Sequence, residues 1–535
     1  MGSGYDYIVV GSGSAGAVVA ARLSEDPAVS VLLLEAGPPN RHPLQLMPLA
    51  FSKVAAGRIG TWQYETEPEP GLDGRRLAVP RGRTLGGTSS INAMIAVRGH
   101  ASDYDDWAAL GLPGWSHADV LPYFKRLETD WRGAGPFHGG DGPVHISRMV
   151  GPELLWDELR AAAQAAGIPY NDDPNGAVQD GISPMESTVG GGLRASTARA
   201  YLRPAARRPN LDIVTGALAR RVLVSGGRAT GVEYLRNRHV HTATADREVI
   251  LSGGAYGTPH LLMLSGIGPA DDLRPFGIAP VHDLPGVGRD LSDHPNIINE
   301  YALTGDEGLT RHLRADRAAL AALRWFAIRT GPFAYTGTAA NVFVRSLDGL
   351  DRPDVQMMCL PISGQAGVWW PGLQRKPVSK LSVRTGYLHP KSRGWVKLRS
   401  ADPFDAPRIF INMFADESDL DGMVRALRLS RRVYAQSPLS DLIAREDLPG
   451  AQYESDADLA AYIRANATHR SHPVGTCRMG TDDGAVVDAR LRVRGLDRLR
   501  IADASIMPTI PGGNTNLPVM MIGEKAADLI LERAP

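Results

Sequence analysis

The chain has 535 residues, 43% of them hydrophobic and 22% charged, and its 58 basic and 58 acidic side chains cancel to a formal net charge of zero. That length can bury large cores, in roughly two to four domains, and the charge balance gives no electrostatic footprint for nucleic acid or an anionic membrane surface. Only two cysteines, Cys359 and Cys477, are present, which excludes a disulfide framework and a cysteine-based zinc or iron–sulfur site; no metal is expected, and a reducing compartment suits the chain.

Tyr7 to Val10 is a short apolar run rich in β-branched residues and reads as a buried strand. Gly11, Ser12, Gly13, Ala15 and Gly16 follow as G-x-G-x-x-G. Ala17 to Leu23 is a helical segment, and Val31 to Leu34 is a second strand closed by Glu35 and Ala36. These are the parts of a βαβ dinucleotide site in order. The glycines permit a tight turn, close approach of a pyrophosphate and helix–strand packing, and the acid is placed to accept from a ribose hydroxyl. The motif does not by itself separate FAD from NAD. Because the strand starts within ten residues, no secretory leader is expected, and Met1-Gly2 lacks the hydroxyl residue that myristoylation needs. No apolar run approaches the ~18 residues of a membrane helix. A cytoplasmic protein is expected, with peripheral attachment to an inner membrane left open.

Residues 40 to 80 carry Pro43, Pro48, Pro68, Pro70 and Pro80 and read as an irregular excursion. The next stretch, Arg83, Thr84, Gly86, Gly87, Ser90, Asn92, Ala93, Met94 and Ile95, places paired glycines and hydroxyl residues before an apolar run, which reads as a second loop-to-helix phosphate cradle. Asp105 to Glu128 is helical with a break at Gly111 to Gly114, and Pro152 to Gly167 is an amphipathic helix. Asn210 to Thr215, Ala219 to Val224 and Glu248 to Gly254 are strand-like, with a helix from His260 to Ser265 opened by Thr258-Pro259. Between 300 and 460, strands at 355–360, 381–388 and 395–398 alternate with helices at 315–330 and 420–435, as in a second domain. The tail brings a strand ending at Asp503-Ala504, then Asn514, Thr515 and Asn516 before a final helix through Leu531.

The N-terminal βαβ unit, the Gly82 to Asp105 stretch, the Gly254 to Gly268 stretch and the tail from His472 resemble the glucose–methanol–choline (GMC) oxidoreductases end to end, most closely the bacterial alcohol and choline dehydrogenase-like branch. The resemblance implies an α/β fold: a Rossmann-like FAD-binding domain with a second domain built on an antiparallel sheet with helices. The FAD-binding domain is expected at 1–150, 205–300 and 461–535, and the substrate domain at 151–204 and 301–460. Bound FAD is implied, with Gly11 to Gly16 and Glu35 at its ADP moiety, Arg83 to Ile95 along the pyrophosphate and flavin, Val222 meeting the adenine through its backbone, and Asp503-Ala504 near the pyrophosphate and ribityl chain. His472, in His-Pro-Val-Gly-Thr, matches the family's active-site histidine, and Asn514 its second active-site residue. Relatives that attach FAD covalently carry a histidine where this chain has Ile91, so FAD is expected to be non-covalent.

The implied reaction is oxidation of a primary alcohol to the aldehyde. An alcohol is a poor hydride donor and an alkoxide a good one, so a histidine base is needed beside the hydroxyl. The final helix would point its positive end at the charge that builds on the reduced ring. A choline dehydrogenase-like enzyme and a redox-silent lyase on the same scaffold are the alternatives. The alcohol is expected to be uncharged, or charged only far from the reacting carbon. Oxygen, a quinone or a carrier protein as electron acceptor, and the oligomeric state, are left open. Trp369-Trp370 reads equally as pocket lining and as core, and Cys477 as core.

Overall fold

A computed structural model describes residues 3–149 and 151–533 of the chain; the reading of Met1-Gly2 lies outside them. Two sheets organise these residues. The first runs in the order Leu211–Thr215, Val31–Glu35, Ser3–Val10, His239–Leu251, Arg228–Arg236, Leu218–Ser225, with Leu499–Ile501 adding to His239–Leu251. The pairings among the first four strands and that of the tail strand are parallel, and the two within the Leu218–Leu251 meander are antiparallel. Ile8 and Val9 point to opposite faces and both are fully buried, so both faces are covered, as parallel sheets require.

The strand His239–Leu251 is longer than its apolar end predicts. Its first half is mostly exposed and serves as hairpin partner to Arg228–Arg236, so no hydrophobic pattern announces it. The helix after it starts at Gly254 rather than at Thr258, and Pro259 lies inside it. Proline at 259 cannot donate to the Ala255 carbonyl, which accepts instead from Thr476 Oγ1 at 2.6 Å. The helix expected from Pro152 breaks at Leu155, whose φ is +55°, into a short 3₁₀ turn and the helix Trp156–Ala165. The excursion at 40–80 contains the short helical segments Pro43–Leu46, Pro48–Ala50 and Phe51–Ala56.

The second sheet is antiparallel throughout, in the order Ile443–Leu448, Pro295–Leu303, Lys380–Tyr387, Val355–Leu360, Ala340–Val344, Gly181–Pro184, with Thr468–His469 joining Pro295–Leu303. The strand Pro295–Leu303 runs through the boundary expected at 300/301. On Lys380–Tyr387, Leu381 and Val383 pack into a core with Ala426 and Val433 of the helix Glu417–Tyr434. Side chains at alternate positions face the other way, toward the first sheet's loops. Among the described residues no helix is long and apolar enough to cross a membrane.

Candidate active site

A cavity of about 720 Å³ lies where the two sheets' loops meet. Gly11, Gly13, Ala15, Glu35, Ala36, Leu218 and Ala219 line one end, and Met358, Leu360, Arg384, His472 and Asn514 are among its other walls. At Gly11 φ is +98° and a Cβ would stand 2.4 Å from the Ser252 carbonyl oxygen; at Gly16 a Cβ would stand 2.0 Å from that of Gly11. The loop therefore needs glycine at both positions. Glu35 holds it in place: one carboxylate oxygen accepts from Ser12 N (3.1 Å) and Ser12 Oγ (2.6 Å), the other from Gly37 N (2.7 Å). Burial raises the Glu35 carboxyl above its ordinary value, against those hydrogen bonds.

The second loop is a 3₁₀ turn, Gly87–Ser90, rather than the start of an α-helix. It presses on the first: a Cβ on Gly87, whose φ is +50°, would stand 2.7 Å from Gly13 Cα. Asp503 braces a third loop, accepting from Gly254 N (2.8 Å) and Thr258 Oγ1 (2.6 Å). The helix Asn516–Leu531 starts at the cavity wall, with Pro518 in its first turn, where a missing N–H costs nothing.

His472 follows Ser471, whose backbone is left-handed (φ +66°), and its N–H is anchored on Asp293 Oδ1 at 2.9 Å. The polarity of its ring contacts can be deduced. Leu388's carbonyl only accepts, so His294 carries its proton on Nε2 (2.9 Å) and leaves Nδ1 as an acceptor. His294 Nδ1 lies 3.0 Å from His472 Nδ1, which must then be the donor. His472 Nε2 is left unprotonated and accepts from Asn514 Nδ2 at 3.1 Å. Asn514 is fixed in that orientation because its Oδ1 accepts from Gln356 Nε2 (3.1 Å), and Gln356 Oε1 accepts in turn from Arg470. The imidazole is 8% exposed. Burial pushes it down to about 3, with Asp293 opposing and Arg470 and Arg81 reinforcing the shift.

Of the residues expected at the site, Gly11, Gly13, Ala15, Glu35, Ala36, Gly87, Asn92, Ala93, Met94, Ile95, His472, Asp503, Ala504, Asn514, Thr515 and Asn516 line this one cavity. Ser12, Gly16, Thr84, Gly86 and Ser90 sit behind it. Ser12 and Gly16 brace the loop as described, Thr84 Oγ1 donates to the Pro38 carbonyl and Ser90 Oγ to that of Leu85, and Gly86 begins the 3₁₀ turn. Arg83 stacks on Trp62 at 4.3 Å. Val222 is a correction: its N–H is taken by Ser265 Oγ (2.8 Å) and its side chain is buried away from the cavity, while Leu218 and Ala219 of the same strand line it. Trp369 and Trp370 do not line it either, and Trp370 is exposed. Sequence reasoning missed Trp62, Tyr64, Arg81, Tyr256, His260, Arg384 and Arg470. The available signal was a charged residue in mid-strand between Val383 and Thr385, at Arg384, and an arginine two residues before His472.

The walls suit a dinucleotide. Cβ atoms added at Gly254 and Gly257 would meet no protein atom within 4 Å, so backbone lies open to a ligand there. Arg81 Nε and Nη2, Tyr256 Oη and His260 Nε2, all on lining residues, are buried without a hydrogen-bond partner among the described residues. Three glycine-bearing loops at strand ends, a helix N-terminus and an imidazole held with its cavity-facing nitrogen unprotonated define a dinucleotide-dependent oxidoreductase.

Models of the GMC oxidoreductase N- and C-terminal regions match residues 5–296 and 390–523, and the chain belongs to that family. It is 44% identical to the mitochondrial choline dehydrogenase of Mus musculus over 98% of this chain and 89% of that protein. It is 43% identical to the oxygen-dependent choline dehydrogenase of Photobacterium profundum over 100% and 94%. Among solved structures it superposes on pyridoxine 4-oxidase from Mesorbium loti with a TM-score of 0.88 at 32% identity, covering 99% and 100% of the two chains. On a formate oxidase the TM-score is 0.93 at 29% identity, covering 99% and 98%. The protein is thus an FAD-dependent oxidoreductase acting on CH–OH donors, on a mixed α/β fold.

Proposed function

We propose that the protein oxidises a primary alcohol to the aldehyde with His472 as base and Asn514 as its hydrogen-bonding partner. The observation that carries this reading is the fixed polarity of the chain from Arg470 through Gln356 and Asn514 to His472 and His294, which leaves one unprotonated nitrogen, His472 Nε2, on the cavity wall. FAD, when bound, supplies the hydride acceptor. The alcohol hydroxyl takes the place of Asn514 at His472 Nε2, which takes the hydroxyl proton, while Asn514 Nδ2–H, released from the imidazole, donates to the alcohol oxygen and holds its charge as the proton leaves. The imidazolium proton on Nδ1 stays shared with His294. Gly11, Gly13, Glu35, Gly87 and the Asp503 loop form the ADP and pyrophosphate side, and the face of the second sheet carrying Met358 and Leu360 forms the substrate side. FAD is held non-covalently on this reading: Ile91, which lines the cavity, offers no nucleophile. The expected division into an FAD-binding and a substrate domain follows the two sheets, with Pro295–Leu303 and Thr468–His469 assigned to the second.

The relatives named choline dehydrogenases make choline the first alternative to a neutral alcohol. The test of the catalytic reading is anaerobic flavin bleaching by a panel of primary alcohols, with and without His472→Ala. General-base catalysis contributes ~10²–10⁴-fold, so the variant should keep its FAD and reduce it slower by that factor. Bleaching at the wild-type rate would remove His472 from the mechanism.

A further inference from the structure

Arg384 stands in the middle of the strand Lys380–Tyr387, paired with Ile298 on one side and Met358 on the other. Its neighbours Leu381 and Val383 belong to the core beneath the sheet; Arg384 faces the opposite way and lines the cavity with Met358, Leu360, Arg470, His472 and Asn514. Its carbonyl accepts from Arg470 Nη2 at 2.7 Å. Among the described residues its guanidinium has no hydrogen-bond, ion-pair or ring partner.

No carboxylate among the described residues compensates it. Glu300, on the same face of the sheet, is committed to Lys380 Nζ (2.5 Å), Ser363 Oγ (2.8 Å) and Ser382 Oγ (3.1 Å). Of the acids lining the cavity, Glu35 and Asp503 brace the glycine loops, and Asp405 acts on His260 beside Leu261 and Leu264. The adjacent guanidinium, Arg470, is buried and directs its donors to Gln356, Asn296 and the Arg384 carbonyl. Asp293, which favours its charge, already holds the His472 N–H. Burial lowers both guanidiniums from their ordinary values, Arg470 to about 9. Arg384 is half-buried, so its guanidinium opens into the cavity; a partly desolvated cation without a counter-charge is costly unless something supplies the anion, and the fork of a guanidinium matches a carboxylate bidentately.

We propose that Arg384, reinforced by the charge of Arg470, is a specificity-determining residue that receives a carboxylate carried by the alcohol several bonds from the carbon being oxidised. The proposal rests on reading this cavity as the alcohol-oxidising site. It sharpens the expectation of a charge-free reacting end: the distant charge is negative. A cationic alcohol such as choline would bring its ammonium into a cavity already carrying Arg384, Arg470 and Arg81.

The test uses FAD-loaded protein and three benzylic alcohols matched in shape, with a para carboxylate, isopropyl or trimethylammonium group. Their kcat/KM values are measured by anaerobic flavin reduction. The carboxylate should exceed the isopropyl compound by tenfold or more, and the cation should rank last. In Arg384→Gln the carboxylate-to-isopropyl ratio should fall about ten- to a hundredfold, the range of a charge-assisted hydrogen bond, through KM rather than kcat. Arg384→Lys, which keeps the charge, should retain part of it. A redox-independent arm compares 4-methylbenzoate with 4-methylbenzamide by calorimetry: the wild type should bind the benzoate at least tenfold tighter and Arg384→Gln should not. Equal binding of the pair, or a preference unaltered in Arg384→Gln, overturns the proposal. If no alcohol bleaches the flavin while the Arg384-dependent benzoate preference holds, the alcohol-oxidation reading fails and the anion site stands. If the alcohols are oxidised with no preference for the carboxylate, the anion site fails and the reaction stands.

Discussion

His472 is neutral at every pH in the physiological range, because burial holds its imidazole near 3 rather than near 6.5. A base that must be unprotonated is lost only as pH falls through its pKa. The acid limb of kcat/KM, which an ordinary histidine would place near 6.5, is therefore expected below pH 5, and a limb near 6.5 in wild type would contradict the site's electrostatics. His294 sets which nitrogen is free. Replacing it by phenylalanine removes the acceptor at Nδ1 and lets His472 carry its proton on Nε2, facing the substrate. We expect His294→Phe to slow flavin reduction ~10–100-fold, the scale of a few kcal/mol for one lost buried hydrogen-bond partner, and His294→Asn, which can offer an oxygen near the same point, to recover part of that. Equal rates in the two variants would show that the tautomer is held by something else. His472 and Asn514 were legible in the sequence because each sits in a motif. His294, Gln356 and Arg384 were not: His294 sits in a polar stretch just before a strand, Gln356 alone in an apolar strand and Arg384 on the polar side of an alternating one, and only the fold shows what they face.

At the scale of elements, the βαβ unit was legible almost residue for residue, since its glycines, strand ends and acid are consecutive in the chain. The contact between the two loops was not: Gly87 meets Gly13 across more than seventy positions, and no local pattern encodes it. That contact makes a prediction. Gly87→Ala must place a Cβ 2.7 Å from Gly13 Cα at a φ of +50°, and both strands of the clash are backbone, so neither yields by a rotamer change. The variant should lose FAD affinity by tenfold or more, read by flavin retention on dilution, while far-ultraviolet dichroism remains that of the wild type. Undiminished retention would mean that the two loops move independently. The antiparallel second sheet was only partly legible. Pro295–Leu303, Ala340–Val344 and Gly181–Pro184 are short or polar: Asn296, Asn341 and Ser183 on one face and Asn299 on the other read as solvent-facing in the sequence, but the fold buries both faces there.

The whole molecule is held together by buried charge as well as by the sheets. Arg98, just past the second loop, donates to Glu128 at 2.6 Å; His138 bridges Glu128 (Nδ1, 3.0 Å) and Asp173 (Nε2, 2.9 Å); Arg132 joins Asp130, Asp173 and Glu186. Glu128, Asp130 and His138 stand close enough together to share an ion, but the two guanidiniums already neutralise them. Burial opposes a charged His138, yet its hydrogen bonds to Asp173 and Glu128 outweigh it and raise the imidazole from 6.5 to about 9. The sign of the consequence follows. A group whose pKa is higher folded than unfolded stabilises the fold fully below its unfolded value and ceases to as pH rises through its folded one. Stability should therefore drain away between about pH 6.5 and 9, by about 1–3 kcal/mol once solvent screening on the Asp173 side is allowed for. His138→Asn keeps a neutral hydrogen-bonding group there and removes the titration. It should be less stable than wild type at pH 6 and approach it at pH 9.5 in thermal or denaturant unfolding. If the two proteins lose stability in parallel across that window, His138 does not carry the charge that fastens the Arg98 segment to the 171–187 region.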